Sequence, residues 1–108
     1  MSDPTIERIK QQLVSKPVFL YMKGTPDFPQ CCFSMRTVQA LRAAGAKDFG
    51  FCNILEEPEI RAGLKIYSNW PTFPQLYIKG ELVGGCDIAL EMAASGELTK
   101  VIAAATKS

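Results

Sequence analysis

Apolar and polar positions alternate along this chain in two periods, and the switches between them mark out its elements. Asp3-Pro4 reads as an N-cap followed by proline at the first helical position. Ile6, Ile9 and Leu13 then recur at helical spacing until Lys16-Pro17 ends the helix. Val18 to Met22 is an unbroken apolar run, as expected of a central strand covered on both faces. A loop with two prolines, residues 24–30, leads to a second helix carrying Val38, Leu41 and Ala44, closed by Gly45. Phe49 to Ile54 predicts a second strand. Pro58 opens a third helix with Ile60, Leu64 and Tyr67 on one face. Trp70-Pro71-Thr72-Phe73-Pro74 cannot be helical. Leu76–Ile78 and Glu81–Val83 flank Lys79-Gly80, a two-residue hairpin signal. Ile88 to Ala94, ended by Gly96, and Leu98 to Ala105 predict two more helices. The order αβαβαββα plus a terminal helix predicts an α/β fold, a mixed sheet with helices on both faces.

Length and composition narrow the picture. At 108 residues and 47% hydrophobic, the chain reads as one globular domain, 1–108, with a core that needs no disulfide staples. The net charge is +1 and no basic run occurs, which argues against nucleic acid as a partner. The apolar stretches are too short to span a bilayer. Met1-Ser2-Asp3-Pro4 lacks the basic and apolar regions of a secretory signal, so a cytoplasmic protein is expected. The four cysteines, at 31, 32, 52 and 86, include an adjacent pair and one in a strand-like run, a pattern that favours free thiols in a reducing compartment.

Chemistry centres on Cys31, placed on the turn between a buried strand and an amphipathic helix. A thiol there meets unpaired N–H groups and the positive end of the helix dipole, both of which favour thiolate. The chain contains no histidine. That removes the usual general base and metal ligand, leaving thiol redox chemistry or thiolate metal binding.

Three segments carry a resemblance: KGTPDFPQCCFS (23–34), WPTFPQLYIKGE (70–81) and GGCD (84–87). In this order and spacing the chain resembles a monothiol glutaredoxin of the CGFS type, in the single-domain form found in bacteria. The resemblance implies a thioredoxin-like fold, with two parallel strands followed by an antiparallel hairpin in a four-stranded sheet flanked by helices. It implies that Cys31 is the active cysteine and a ligand to a 2Fe–2S cluster bridging a homodimer, the other ligands being the sulfurs of two glutathiones. It also implies that Lys23 and Arg61 hold the glycyl carboxylate of glutathione. Thr72, Phe73 and Pro74 would form a cis-proline turn that pairs with its cysteine residue. Gly85, Cys86 and Asp87, following Gly84, would hold its γ-glutamyl end, Asp87 lying near the ammonium group. Asp87 could equally serve as a helix N-cap. Trp70 would wall the groove.

Ser34 stands where dithiol relatives carry a second cysteine, so an intramolecular CxxC disulfide is impossible and a separate thiol such as glutathione must resolve mixed disulfides. The chain departs from the family at Cys32, which replaces a glycine and places a second thiol beside the first. Cys52 is most simply a core residue. The resemblance implies iron–sulfur assembly and transfer, with BolA-like proteins and iron–sulfur acceptor proteins as partners. The alternative is a weak glutathione-dependent thiol–disulfide oxidoreductase.

Overall fold

The computed structural model describes residues 4–46, 49–69 and 72–106. Five helices and four strands alternate as α1 (Pro4–Ser15), β1 (Val18–Met22), α2 (Cys32–Ala43), β2 (Gly50–Asn53), α3 (Pro58–Ser68), β3 (Gln75–Ile78), β4 (Glu81–Gly84), α4 (Cys86–Ser95) and α5 (Glu97–Thr106). This is the expected order. The sheet runs β2-β1-β3-β4. β1 and β2 are parallel, with Phe19 opposite Gly50 and Met22 opposite Asn53. β3 is antiparallel to both β1 and β4. Lys79 and Gly80 both have positive φ, 52° and 79°, the conformation a two-residue hairpin requires.

Every residue of β1 is buried. The strand's period of two divides them between two cores. Val18, Leu20 and Met22 face a cluster with Val38 and Leu41 of α2, Ala89 of α4, and Leu98 and Ile102 of α5. Phe19 and Tyr21 face the other, with Ile9 and Leu13 of α1, Cys52 and Ile54, and Ile60 and Leu64 of α3. A sheet covered on both sides thus accounts for the continuous apolar run. Cys52 is 8% exposed and belongs to the core, as its setting in the sequence suggests.

Some details differ from the pattern-based reading. The second strand is shorter than residues 49–54, covering Gly50–Asn53. On α3 the buried positions are Ile60, Gly63 and Leu64, while Tyr67 lies at the surface. α3 crosses α1 closely at Gly63. A Cβ at residue 63 would stand 2.7 Å from Thr5 Cγ2 and 3.3 Å from Ile9 Cδ1, so the α1–α3 seam runs through a glycine, while Tyr67, one turn on, is 36% exposed. α4 begins at Cys86, two residues earlier than Ile88, and its N-cap is Gly85 rather than Asp87. Asp3 and Trp70 lie outside the described residues. No helix of the described residues is long and apolar enough to cross a membrane.

Candidate active site

Cys31 is the N-cap of α2, with extended backbone (φ −149°, ψ 136°), and its carbonyl accepts the first helical bond from the Met35 N–H at 3.0 Å. Its side chain closes no capping hydrogen bond of full geometry. The sulfur nevertheless lies in the field of the open helix end, and its pKa is lowered. The Ser34 backbone N–H contributes most, burial partly opposes it, and the Phe33 N–H, the Lys23 charge and the Ser34 hydroxyl add further lowering. These groups all favour the anion, which is the nucleophilic and metal-binding form.

The other cysteines sit differently. Cys32 is exposed, while Cys52 and Cys86 are buried, and all four are free thiols. Burial, with the Glu57 carboxylate nearby, pushes the Cys52 thiol up. It is a packed residue with no reason to ionise.

Cys31 opens into a groove of about 620 Å³ that brings together all nine residues singled out by sequence. Lys23, at the end of β1, and Arg61, on the first turns of α3, supply its cations. Among the described residues neither side chain has an acidic partner. Thr72, Phe73 and Pro74 form one edge, leading into β3, and the Phe73–Pro74 peptide bond is cis. Neither backbone polar group of Phe73 is hydrogen-bonded among the described residues. Gly85, Cys86 and Asp87 bring the N-terminus of α4 to the same groove. Two helix N-termini, α2 and α4, therefore converge on a groove with two cations that have no acidic partner among the described residues, an arrangement suited to an anionic ligand.

Two further residues line the groove, Phe33 and Ile88. Phe33 is 49% exposed despite its size. Both follow a motif residue by one or two positions on a helix start, so helical geometry applied to Cys31 and Asp87 could have found them. Cys32 is not among the lining residues.

The placement of Lys23 rests on backbone bonds. Its N–H donates to Ser34 Oγ at 3.1 Å, and its carbonyl accepts from Gln30 N–H at 2.9 Å. The next N–H, of Gly24, donates to Asn53 Oδ1 at 2.9 Å. Gly24 has φ +95°, and a Cβ there would lie 2.6 Å from both Gln30 N and the Phe28 carbonyl oxygen, so only glycine fits. The 24–30 loop is thus a tight hydrogen-bonded turn that carries the chain from Lys23 to Cys31.

Known proteins match this chain over most of its length. Residues 18–83 match the glutaredoxin family model. Glutaredoxin 4 of Escherichia coli strain K12 is 55% identical over 98 residues, covering 91% of this chain and 84% of that protein. Monothiol glutaredoxin-S11 of Oryza sativa subsp. japonica is 57% identical over 96 residues, which are 89% of this chain but 19% of that longer protein. The solution structure of reduced poplar apo GrxS14 superposes with a TM-score of 0.82 at 50% identity, covering 95% of this chain and 94% of that one. With a thiolate-stabilising helix start at Cys31, Ser34 in place of a second motif cysteine and these relatives along nearly its full length, the chain belongs to the glutaredoxin family, as a monothiol member of the CGFS type with Cys32 in place of the glycine.

Proposed function

We propose that this chain binds glutathione in the Cys31 groove and, as a cluster-bridged homodimer, carries a 2Fe–2S cluster as cargo in iron–sulfur assembly and transfer. The carrying observation is a lowered-pKa thiol that shares its groove with two cations that have no acidic partner among the described residues. Glutathione is a tripeptide with a thiol and two carboxylates, and the groove's volume falls within the range of small-ligand sites. Lys23 and Arg61 pair with the glycyl carboxylate, the guanidinium offering two parallel hydrogen bonds. The N–H and C=O of Phe73, unpaired among the described residues, bond the cysteinyl unit as a short added strand would. The α4 N-terminus receives the γ-glutamyl carboxylate, with Asp87 near its ammonium group.

The donor set supports the cargo assignment. Such clusters take four thiolates. Among the described residues no group of three potential metal ligands converges; Cys31 is partly exposed in the groove with a lowered pKa, whereas Cys86 is buried. Two protomers and two glutathione sulfurs complete the set. Acceptance and delivery of the cluster then require partners, for which BolA-like proteins and iron–sulfur acceptor proteins are the candidates. Four free thiols suit a reducing compartment, the cytoplasm.

The test is anaerobic reconstitution with iron and sulfide, with and without glutathione, read by visible absorption and size-exclusion chromatography. A coloured dimer with glutathione and a colourless monomer without it is the expected result. Equal cluster content under both conditions would refute this ligation and implicate Cys32 or Cys86. A second reading draws on the same lowered thiol pKa, which also suits removal of glutathione from protein thiols. Turnover matching a dithiol glutaredoxin in the glutathione-coupled assay would put that activity first.

A further inference from the structure

Gln75 is the first residue of β3 and is fully buried, an unusual place for a primary amide. A buried amide is tolerated only when its donors and acceptor are used. Here Gln75 Oε1 accepts from the Tyr77 hydroxyl at 3.1 Å, and Gln75 Nε2 donates to the Thr72 carbonyl at 3.3 Å. Tyr77 is 1% exposed and anchored in the core with Tyr21. The chain of bonds therefore runs from the core to one peptide group at the groove edge.

That peptide group joins Thr72 to Phe73. Its carbonyl belongs to Thr72 and its N–H to Phe73, and the bond is trans, since the Phe73–Pro74 bond is the one cis peptide among the described residues. In a planar trans peptide the C=O and N–H point in opposite directions. Drawing the Thr72 oxygen toward the buried Gln75 amide therefore turns the Phe73 N–H away from the interior, toward the groove that Thr72 and Phe73 line. A hydrogen bond accepted by the carbonyl also polarises the N–H of the same unit, making it a better donor.

We infer that Gln75, held by Tyr77, is a positioning residue that sets the orientation of the Thr72–Phe73 peptide and so presents the Phe73 N–H to a ligand in the groove. Gln75 itself touches no ligand. The inference rests on the glutathione reading only for the identity of that ligand.

The test uses Gln75→Met, which keeps the side-chain volume without its polar atoms, with Tyr77→Phe and the double variant. Each is first shown to be folded by circular dichroism. Titration calorimetry with glutathione should show about tenfold weaker binding for Gln75→Met, the loss expected from one misdirected hydrogen bond. Tyr77→Phe should show a smaller loss in the same direction. The double variant should be no worse than Gln75→Met alone, because both act through one bond. In ¹H–¹⁵N spectra of the ligand-free protein, the Phe73 amide should shift in both single variants. Wild-type affinity in folded Gln75→Met would overturn the inference. If Gln75→Met does not fold, Tyr77→Phe decides alone, and unchanged affinity with an unmoved Phe73 amide overturns it. If the wild type fails to bind glutathione, the proposed function falls, and the Phe73 amide in the ligand-free variants still settles the positioning role.

Discussion

The backbone N–H of Lys23 donates to the Oγ of Ser34 across 3.1 Å, tying the end of β1 to the first turn of α2. Ser34 is fully buried. The residue that makes the chain monothiol is therefore also a structural tie between the groove's cation and its thiol. A hydroxyl is a good acceptor for that N–H, whereas a thiol is a weak one.

Ser34→Ala should lower stability by about 1 kcal/mol, because it leaves the part-buried Lys23 N–H without its acceptor. It should also raise the Cys31 pKa, since the Ser34 hydroxyl is one of the groups that lowers it. Urea denaturation and the pH dependence of Cys31 alkylation check the two effects separately. An unchanged midpoint in both would mean the tie contributes nothing.

Cys31 ionises in the folded protein at lower pH than an ordinary thiol. Alkylation of Cys31 in a Cys32→Ser background should accordingly reach half its maximal rate below the midpoint seen for the unfolded chain. Lys23→Ala should move the folded midpoint upward, and added salt should mimic part of that shift. A thiol depressed on folding contributes stability that is fully present above its unfolded pKa and is lost as pH falls through its folded pKa. Relative to Cys31→Ser, wild-type stability should therefore rise with pH across that window. A fall across it would contradict the lowered thiol.

Loss of either groove cation should weaken glutathione without unfolding the protein. Lys23 and Arg61 have no acidic partner among the described residues, so neither change strands a buried charge. Lys23→Ala and Arg61→Ala should each cost about 1–3 kcal/mol in glutathione binding, the usual loss of a charge-assisted hydrogen bond. Calorimetry on the ligand-free protein reads this directly. Undiminished affinity in both would place the ligand's carboxylate elsewhere.

Cys32 is exposed and does not line the groove. Cys32→Gly should therefore keep or improve cluster retention after reconstitution. It should also abolish a minor, easily reduced Cys31–Cys32 disulfide in ligand-free protein oxidised without glutathione. Absorption spectra and peptide mass spectrometry follow the two outcomes. Cluster loss in Cys32→Gly would make Cys32 a ligand.

Local signals in the sequence were enough to determine the elements and their order. The apolar run of β1, the prolines opening α1 and α3, Lys79-Gly80 and the glycines after α2 and α4 each act through their own backbone preferences or burial, so they read correctly without knowing the fold. The nine groove residues were legible only through the resemblance to monothiol glutaredoxins, and Arg61, within α3, lies outside the three segments that carry it. Tertiary structure decided what depends on neighbours distant in sequence. Tyr67 shares a helical face with Ile60 and Leu64 by period, but only the packing of the fold shows that it stays at the surface while Ile60 and Leu64 are buried. Ser34 reads as a missing cysteine until the fold brings the Lys23 N–H to its hydroxyl. Gln75 falls just before the predicted strand Leu76–Ile78 and carries no signal of its own until the Thr72 carbonyl and the Tyr77 hydroxyl close on its amide. Those roles are hydrogen bonds with directions, and no one-dimensional pattern of apolar and polar positions encodes a direction in space.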